Sequence, residues 1–258
     1  MKRLLWLCLI FCLAPLTVHA DVLGEFVLEG TLGDKIPVEI SFCVNGDDIA
    51  VGEIYYPKAK HPAPILIVGV MGESSSFYTF SEYQDDGTIT GYISLEIVED
   101  NNGPHFVKGT WINPKTQKEF PLKLVCTGTS VNVTKYLDYE DPHHIGREYS
   151  FKEWSVRDNC MMGGYVKFRG AGENKLHFEV CNVRHNIAEG KSDPDRPAVL
   201  GETTHNYFIY KDVNECGYSF SAHFFKRFVV LKTISDYNSL QCFGMGAAFD
   251  GVYMKIKQ

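Results

Sequence analysis

Apolar and polar residues alternate along most of the chain, and a helical period is nearly absent. Alternation with a period of two is typical of strands that bury one face. Between Glu25 and Cys126 the pattern predicts eight strands, at residues 25–32, 36–44, 49–56, 64–70, 76–83, 88–98, 105–112 and 119–126. Asn-Gly and Asp-Gly pairs in the joints suit hairpin turns, because both tolerate positive φ. Eight such strands favour an up-and-down barrel or a meandering sandwich.

The alternation stops between Thr127 and Arg147, where acids, a proline and glycines predict a linker. Seven further strands are predicted at residues 149–156, 164–170, 175–183, 205–211, 218–226, 228–234 and 252–256. Residues 186–204 contain prolines and glycines and predict a long loop, or a short helix followed by a loop. The fold class is therefore all-β, with two antiparallel meander or β-barrel-like (calycin-like) domains at residues 21–126 and 148–258, joined by a linker at residues 127–147.

The first twenty residues have the layout of a secretory signal peptide. Lys2 and Arg3 precede an uncharged apolar run from Leu4 to Val18, and Ala20 ends a small-residue cleavage site before Asp21. The run is shorter than the ~20 residues that a spanning helix needs. Residues 1–20 therefore predict export to the periplasm or the medium, with cleavage after Ala20 and no stable membrane anchor.

Composition and charge exclude some classes of protein and argue against others. The chain has 258 residues, of which 45% are hydrophobic, so a wholly disordered chain is excluded. The formal net charge is −7 and becomes −9 once Lys2 and Arg3 are removed. An acidic balance argues against a nucleic-acid partner, which would require a basic stripe. It suits a basic protein partner.

Six cysteines remain after residues 1–20 are removed, and an even number in an exported chain predicts three disulfides. No two of them have the CxxC spacing of zinc or redox motifs. Strand direction favours three pairs, although other pairings of the last four cysteines stay open. The favoured pairs are Cys43–Cys126, Cys160–Cys181 and Cys216–Cys242.

The motifs that could carry chemistry are weak. The chain has no Gly-x-Ser-x-Gly nucleophile elbow. Gly244-Met245-Gly246 precedes a strand, whereas a dinucleotide site requires a helix. His143 and His144 lie near carboxylates, but adjacent side chains of an extended segment point in opposite directions. Paired acids such as Asp47-Asp48 and Asp85-Asp86 lie in predicted hairpin turns, where Asp is favoured for local reasons. We therefore predict no catalytic residues, no metal ligands and no cofactor.

Several segments resemble those of known exported proteins. The first half has Gly30 followed by IPVEISF, then GEIYY, PILIVG, SEY, TGYIS and KGTWI. This pattern resembles a β-barrel module of secreted proteins from Gram-negative bacteria. The second half has ECGYSFSAHFFKRFVVL and CFGMGAAFDGVYMKI, and it is similar to periplasmic proteins grouped with lysozyme inhibitors of the LprI-like kind. The resemblance implies a binding protein that inhibits a muramidase, and it transfers no functional residue.

The leading functional hypothesis is an exported, non-catalytic binding protein that inhibits a lysozyme-type muramidase. In this hypothesis acidic loops dock a basic secreted protein such as a lysozyme. One alternative is a small-ligand carrier that uses a barrel cavity, for which a lined volume of ~300 Å³ or more is expected. The other is a hydrolase whose carboxylates meet only in the folded chain.

Overall fold

The fold is that of a computed structural model, which describes residues 22–72, 76–98, 106–128, 149–157, 160–183, 186–201, 206–212, 218–234 and 248–255. All regular elements in these residues are strands, so the predicted all-β class is confirmed. Residues 1–20 and nearly all of the predicted linker lie outside the described residues. In the part of the chain that is described, no helix is both long and apolar enough to cross a membrane.

The first eight strands form a closed antiparallel barrel in which each strand pairs with its neighbours in sequence and β1 also pairs with β8. Their bounds agree with the predicted strands to within three residues at each end. The strands are β1 Val22–Leu32, β2 Ile36–Asn45, β3 Ile49–Tyr55, β4 Ile65–Met71, β5 Phe77–Tyr83, β6 Ile89–Val98, β7 Phe106–Ile112 and β8 Glu119–Gly128.

Aromatic side chains fill part of the barrel interior. Phe26 stacks on Phe42 with ring centroids 4.8 Å apart, and Phe42 contacts Tyr78 at 5.1 Å and Phe80 at 5.0 Å. Aliphatic residues from the seven strands other than β5 complete this core. Inward side chains alternate with outward ones along each strand, as in any small barrel whose interior is packed.

The remaining strands form one further antiparallel sheet. Its order is β12-β11-β10-β9-β17-β16-β15-β14, and β13 pairs with β11 beside β12. The strands are β9 Tyr149–Arg157, β10 Cys160–Gly170, β11 Lys175–Val183, β12 Ile187–Lys191, β13 Ala198–Val199, β14 Tyr207–Lys211, β15 Ser219–Phe224, β16 Phe228–Thr233 and β17 Gly251–Lys255. We refer to it as the second sheet.

The prediction for residues 186–204 was wrong, because β12 and β13 both lie within this segment. These strands continue the sheet along the free side of β11. A single bridge between Leu200 and Phe208 then links the end of β13 to β14, so the sheet curls towards closure. The concave side holds a second core, in which Phe178, Phe208 and Phe220 contact one another.

The barrel and the second sheet share an apolar interface. Outward residues of β2 to β6 pack against the convex face of β16 and β17 and against Phe225. Two polar contacts flank this interface. Arg227 donates from Nη2 to Asp85 Oδ1 at 2.6 Å, and Lys232 donates from Nζ to the carbonyl oxygen of Asp47 at 2.7 Å. The end of β2, most of β3 and the first half of β4 are therefore buried on both faces.

Two of the three predicted disulfides are wrong. Cys43, Cys126 and Cys181 are free thiols. Cys43 points out of the barrel into the interface, whereas Cys126 points into the barrel, and β1 lies between their strands. On β10 and β11, Cys181 pairs with Tyr165, five residues along the strand from Cys160. The prediction Cys216–Cys242 lies outside the described residues.

Candidate functional site

A groove with a volume of about 400 Å³ lies on the convex face of the second sheet, across β10, β11 and the start of the loop after β12. Alternation in these strands places apolar residues on the concave core side and polar residues on the convex side. Polar side chains and Pro194 form most of the lining, together with the backbone of Phe168 and Phe178. The polar lining residues are Lys167, Arg169, His177, Glu179, Lys191 and Ser192.

Strand register brings these side chains together. Lys167 on β10 is directly opposite Glu179 on β11, and Glu179 is opposite Lys191 on β12. The next row places Arg169 opposite His177. Neighbouring strands lie ~4.8 Å apart, so the two lysines stand only about 10 Å from each other across Glu179.

The groove concentrates positive charge in an acidic protein. With histidine neutral, three cations and one carboxylate line it, whereas the whole chain carries −7. Glu179 accepts a hydrogen bond from the Tyr165 hydroxyl at 2.6 Å. Among the described residues, Arg169 and Lys191 have no ion-pair partner. The groove therefore offers two cations that an anionic group can bind.

A buried serine fixes the histidine in this groove. Ser192 is 7% exposed, and its Oγ lies 2.9 Å from His177 Nδ1 and accepts a hydrogen bond from the Phe178 N–H at 3.2 Å. Ser192 is itself held by the backbone, so its contact with Nδ1 orients the imidazole ring. His177 is thus held in a defined position beside the cations.

A second polar cluster lies inside the barrel, at the end where β5 and β7 finish. Glu82 is 3% exposed and accepts hydrogen bonds at Oε2 from Trp111 Nε1 at 2.9 Å and from the Tyr56 hydroxyl at 3.3 Å. Burial raises the pKa of this carboxyl above its ordinary 4.5. These side chains belong to the segments GEIYY, SEY and KGTWI, on which the resemblance rested. The cluster closes one end of the barrel.

The acidic turn residues make contacts within the chain. Asp34 pairs with Lys123 at 2.5 Å, and Asp85 pairs with Arg227 across the interface. Asp47 Oδ2 lies 3.4 Å from Nδ1 of His223, a histidine that is 6% exposed. Each of these three carboxylates thus has a partner within the chain and is also more than half exposed.

Two motifs that the sequence did not favour as sites, the His143-His144 cluster and Gly244-Met245-Gly246, lie outside the described residues. Within the described part of the chain, no group of three or more His, Cys, Asp or Glu residues is placed to hold a metal ion. The sequence analysis did not select Lys167, Arg169, Lys191 or Ser192. The alternation of Tyr165, Lys167 and Arg169 marked an exposed face, but only strand register shows which strand lies beside it.

Comparisons with protein-family models, with curated proteins and with solved structures found no match for this chain.

Proposed function

We propose that this chain is an exported binding protein of two barrel-like domains that binds an anionic group in the groove on the second sheet. The observation that carries the proposal is the pair Arg169 and Lys191, which lack ion-pair partners among the described residues and stand beside Lys167. Cations held close together repel one another, and a bound anion relieves that repulsion. His177 adds an imidazole ring that Ser192 holds in position.

The carrier alternative has less support. Its ligand would occupy a barrel interior, and aromatic side chains from β1, β2 and β5 contact one another there at 4.8 to 5.6 Å. The hydrolase alternative requires facing carboxylates in a cleft, and the groove contains the single carboxylate Glu179. Inhibition of a lysozyme-type muramidase stays a prediction, which a lysis assay with this protein tests directly.

The groove is tested by titration calorimetry with inorganic phosphate at low ionic strength. Charged hydrogen bonds contribute ~1.5–3 kcal/mol each, so we expect the double variant R169Q/K191Q to bind phosphate at least about tenfold more weakly. Added salt should weaken binding to the unaltered protein, because exposed charges are screened. The matched control is K115Q, which removes a cation from the β7–β8 turn of the barrel and should leave binding unchanged. Absence of phosphate binding, or equal affinity in R169Q/K191Q, would contradict the proposal.

A further inference from the structure

The convex face that bears the cationic groove becomes apolar at its other end. On this face β11 presents His177, Glu179, Cys181 and Val183 in turn. Val183 is directly opposite Ile187 of β12, and the two side chains are 36% and 57% exposed. We call this pair the apolar patch. Covering these two side chains would remove apolar surface from water, which favours an apolar group bound there.

The patch and the groove lie in one line along the strands. Val183 lies four positions along β11 from Glu179, which corresponds to a distance of about 13 Å at the rise of an antiparallel strand. On β10, Gly163 is opposite Val183 and has no side chain to cover it. No β10 side chain therefore stands directly beside Val183.

One row of side chains across β10, β11 and β12 separates the apolar patch from the groove, and a ligand that reaches both must cross it. It contains Tyr165, Cys181 and Glu189, in this order from β10 to β12. Together with Glu179, the carboxylate of Glu189 would repel a second anionic group placed there. Beside these two carboxylates lie the Tyr165 ring, 5.2 Å from Lys167 Nζ, and the Cys181 thiol, which donates to Glu189 Oε1 at 3.8 Å. An uncharged chain crosses this row without the repulsion that a second anionic group would meet.

We propose that the ligand of the groove is an anionic amphiphile, whose single anionic head binds Arg169, Lys167 and Lys191 and whose alkyl chain covers Val183 and Ile187. This inference rests on the proposed function, since it assigns the class of ligand that the same groove binds. Charge complementarity selects the head, and the exposed apolar pair selects the chain.

The test compares three probes by titration calorimetry, all below their critical micelle concentrations. Decyl phosphate carries both head and chain, ethyl phosphate carries the same head, and decyl maltoside carries the same chain without charge. Each methylene that leaves water contributes roughly fourfold in affinity, so partial cover of the patch should make decyl phosphate at least about tenfold tighter than ethyl phosphate. We expect decyl maltoside to bind more weakly than decyl phosphate.

Two variants locate the chain. V183T/I187T keeps β-branched side chains on the strands and should reduce decyl phosphate affinity several-fold while ethyl phosphate affinity stays unchanged. The control I36T makes the same kind of change at a side chain on β2 that is 48% exposed, and it should alter neither. If ethyl phosphate fails to bind, the proposed function fails. If it binds as tightly as decyl phosphate, only the amphiphile is excluded. If ethyl phosphate and decyl phosphate bind with equal affinity, and sedimentation velocity shows that V183T/I187T has a different oligomeric mass from the unaltered protein, the patch instead belongs to a self-association interface.

Discussion

Gly91 offers the sharpest test of how the barrel end is built. It lies opposite Glu82 on the inward face of β6. A methyl group added at Gly91 would overlap Trp111 Nε1 and lie 2.6 Å from Glu82 Oε2. Neither neighbour can move freely, because the indole donates to the carboxylate and the carboxylate is buried. The substitution G91A must therefore displace the indole or strain the strand.

The expected cost follows from these contacts. Overpacking a filled core costs ~1–3 kcal/mol, and a buried group that loses its hydrogen bond costs ~1–3 kcal/mol. We expect G91A to lower the free energy of unfolding by about 2–4 kcal/mol. Urea unfolding, followed by tryptophan fluorescence, measures this change. The control is G46A, because a methyl group at Gly46 meets no atom within 4 Å.

A double variant separates overlap from loss of the hydrogen bond. W111F removes Nε1, so G91A should cost less in the W111F protein than in the unaltered one. The reasoning is refuted if G91A and G46A unfold at the same urea concentration. It is also refuted if the costs of G91A and W111F simply add, since the two changes would then act independently.

Three further predictions concern titratable groups. Burial raises the pKa of Glu82 in the folded state, so the stabilisation that comes from its protonated form is full below pH 4.5 and is lost as the pH rises through the raised pKa. In urea unfolding at several pH values, E82Q should remove this pH dependence of the free energy of unfolding. Burial lowers the pKa of His223, although the charge of Asp47 acts in the opposite direction, so the stabilisation from the neutral imidazole is full above pH 6.5 and is lost on acidification. The thermal unfolding temperature of H223Q should therefore depend less on pH below 6.5 than that of the unaltered protein. Burial raises the pKa of Cys43 to about 12, so iodoacetamide should label Cys181 faster than Cys43 in the folded protein, and equal rates by mass spectrometry would contradict the burial.

The barrel was predictable because each of its strands carries a clear signal. Alternation, together with turn residues such as Asn45-Gly46 and Asp86-Gly87, gave all eight strands. Strands β12 and β13 gave no such signal. In β12 only Ala188 is buried, and β13 has two residues, so neither shows apolar alternation. Their place in the sheet is determined by pairing with β11, which lies outside their own sequence.

The alternation of side chains along β2 and β8 argues against the predicted pair Cys43–Cys126, which was based on strand direction alone. Cys126 has the same parity as Leu122 and Leu124 on β8 and therefore points inward. Cys43 has the opposite parity to Phe42 and points outward. Alternation in β2 is blurred near its end because the second sheet buries the outer face as well. Buried strands of this kind read as continuous apolar runs, so the packing partner is needed to assign their faces.

The net charge of the whole chain does not indicate the charge of the proposed groove. A sum over all residues counts the acids of the hairpin turns, yet Asp47 and Asp85 contact His223 and Arg227 at the interface. Both acids nevertheless stay more than half exposed. The cations of the groove, in contrast, come from β10 and β12 and are brought together by the register of both strands with β11. Ligand charge is thus set by which side chains share a face, and in this protein that local arrangement favours an anion.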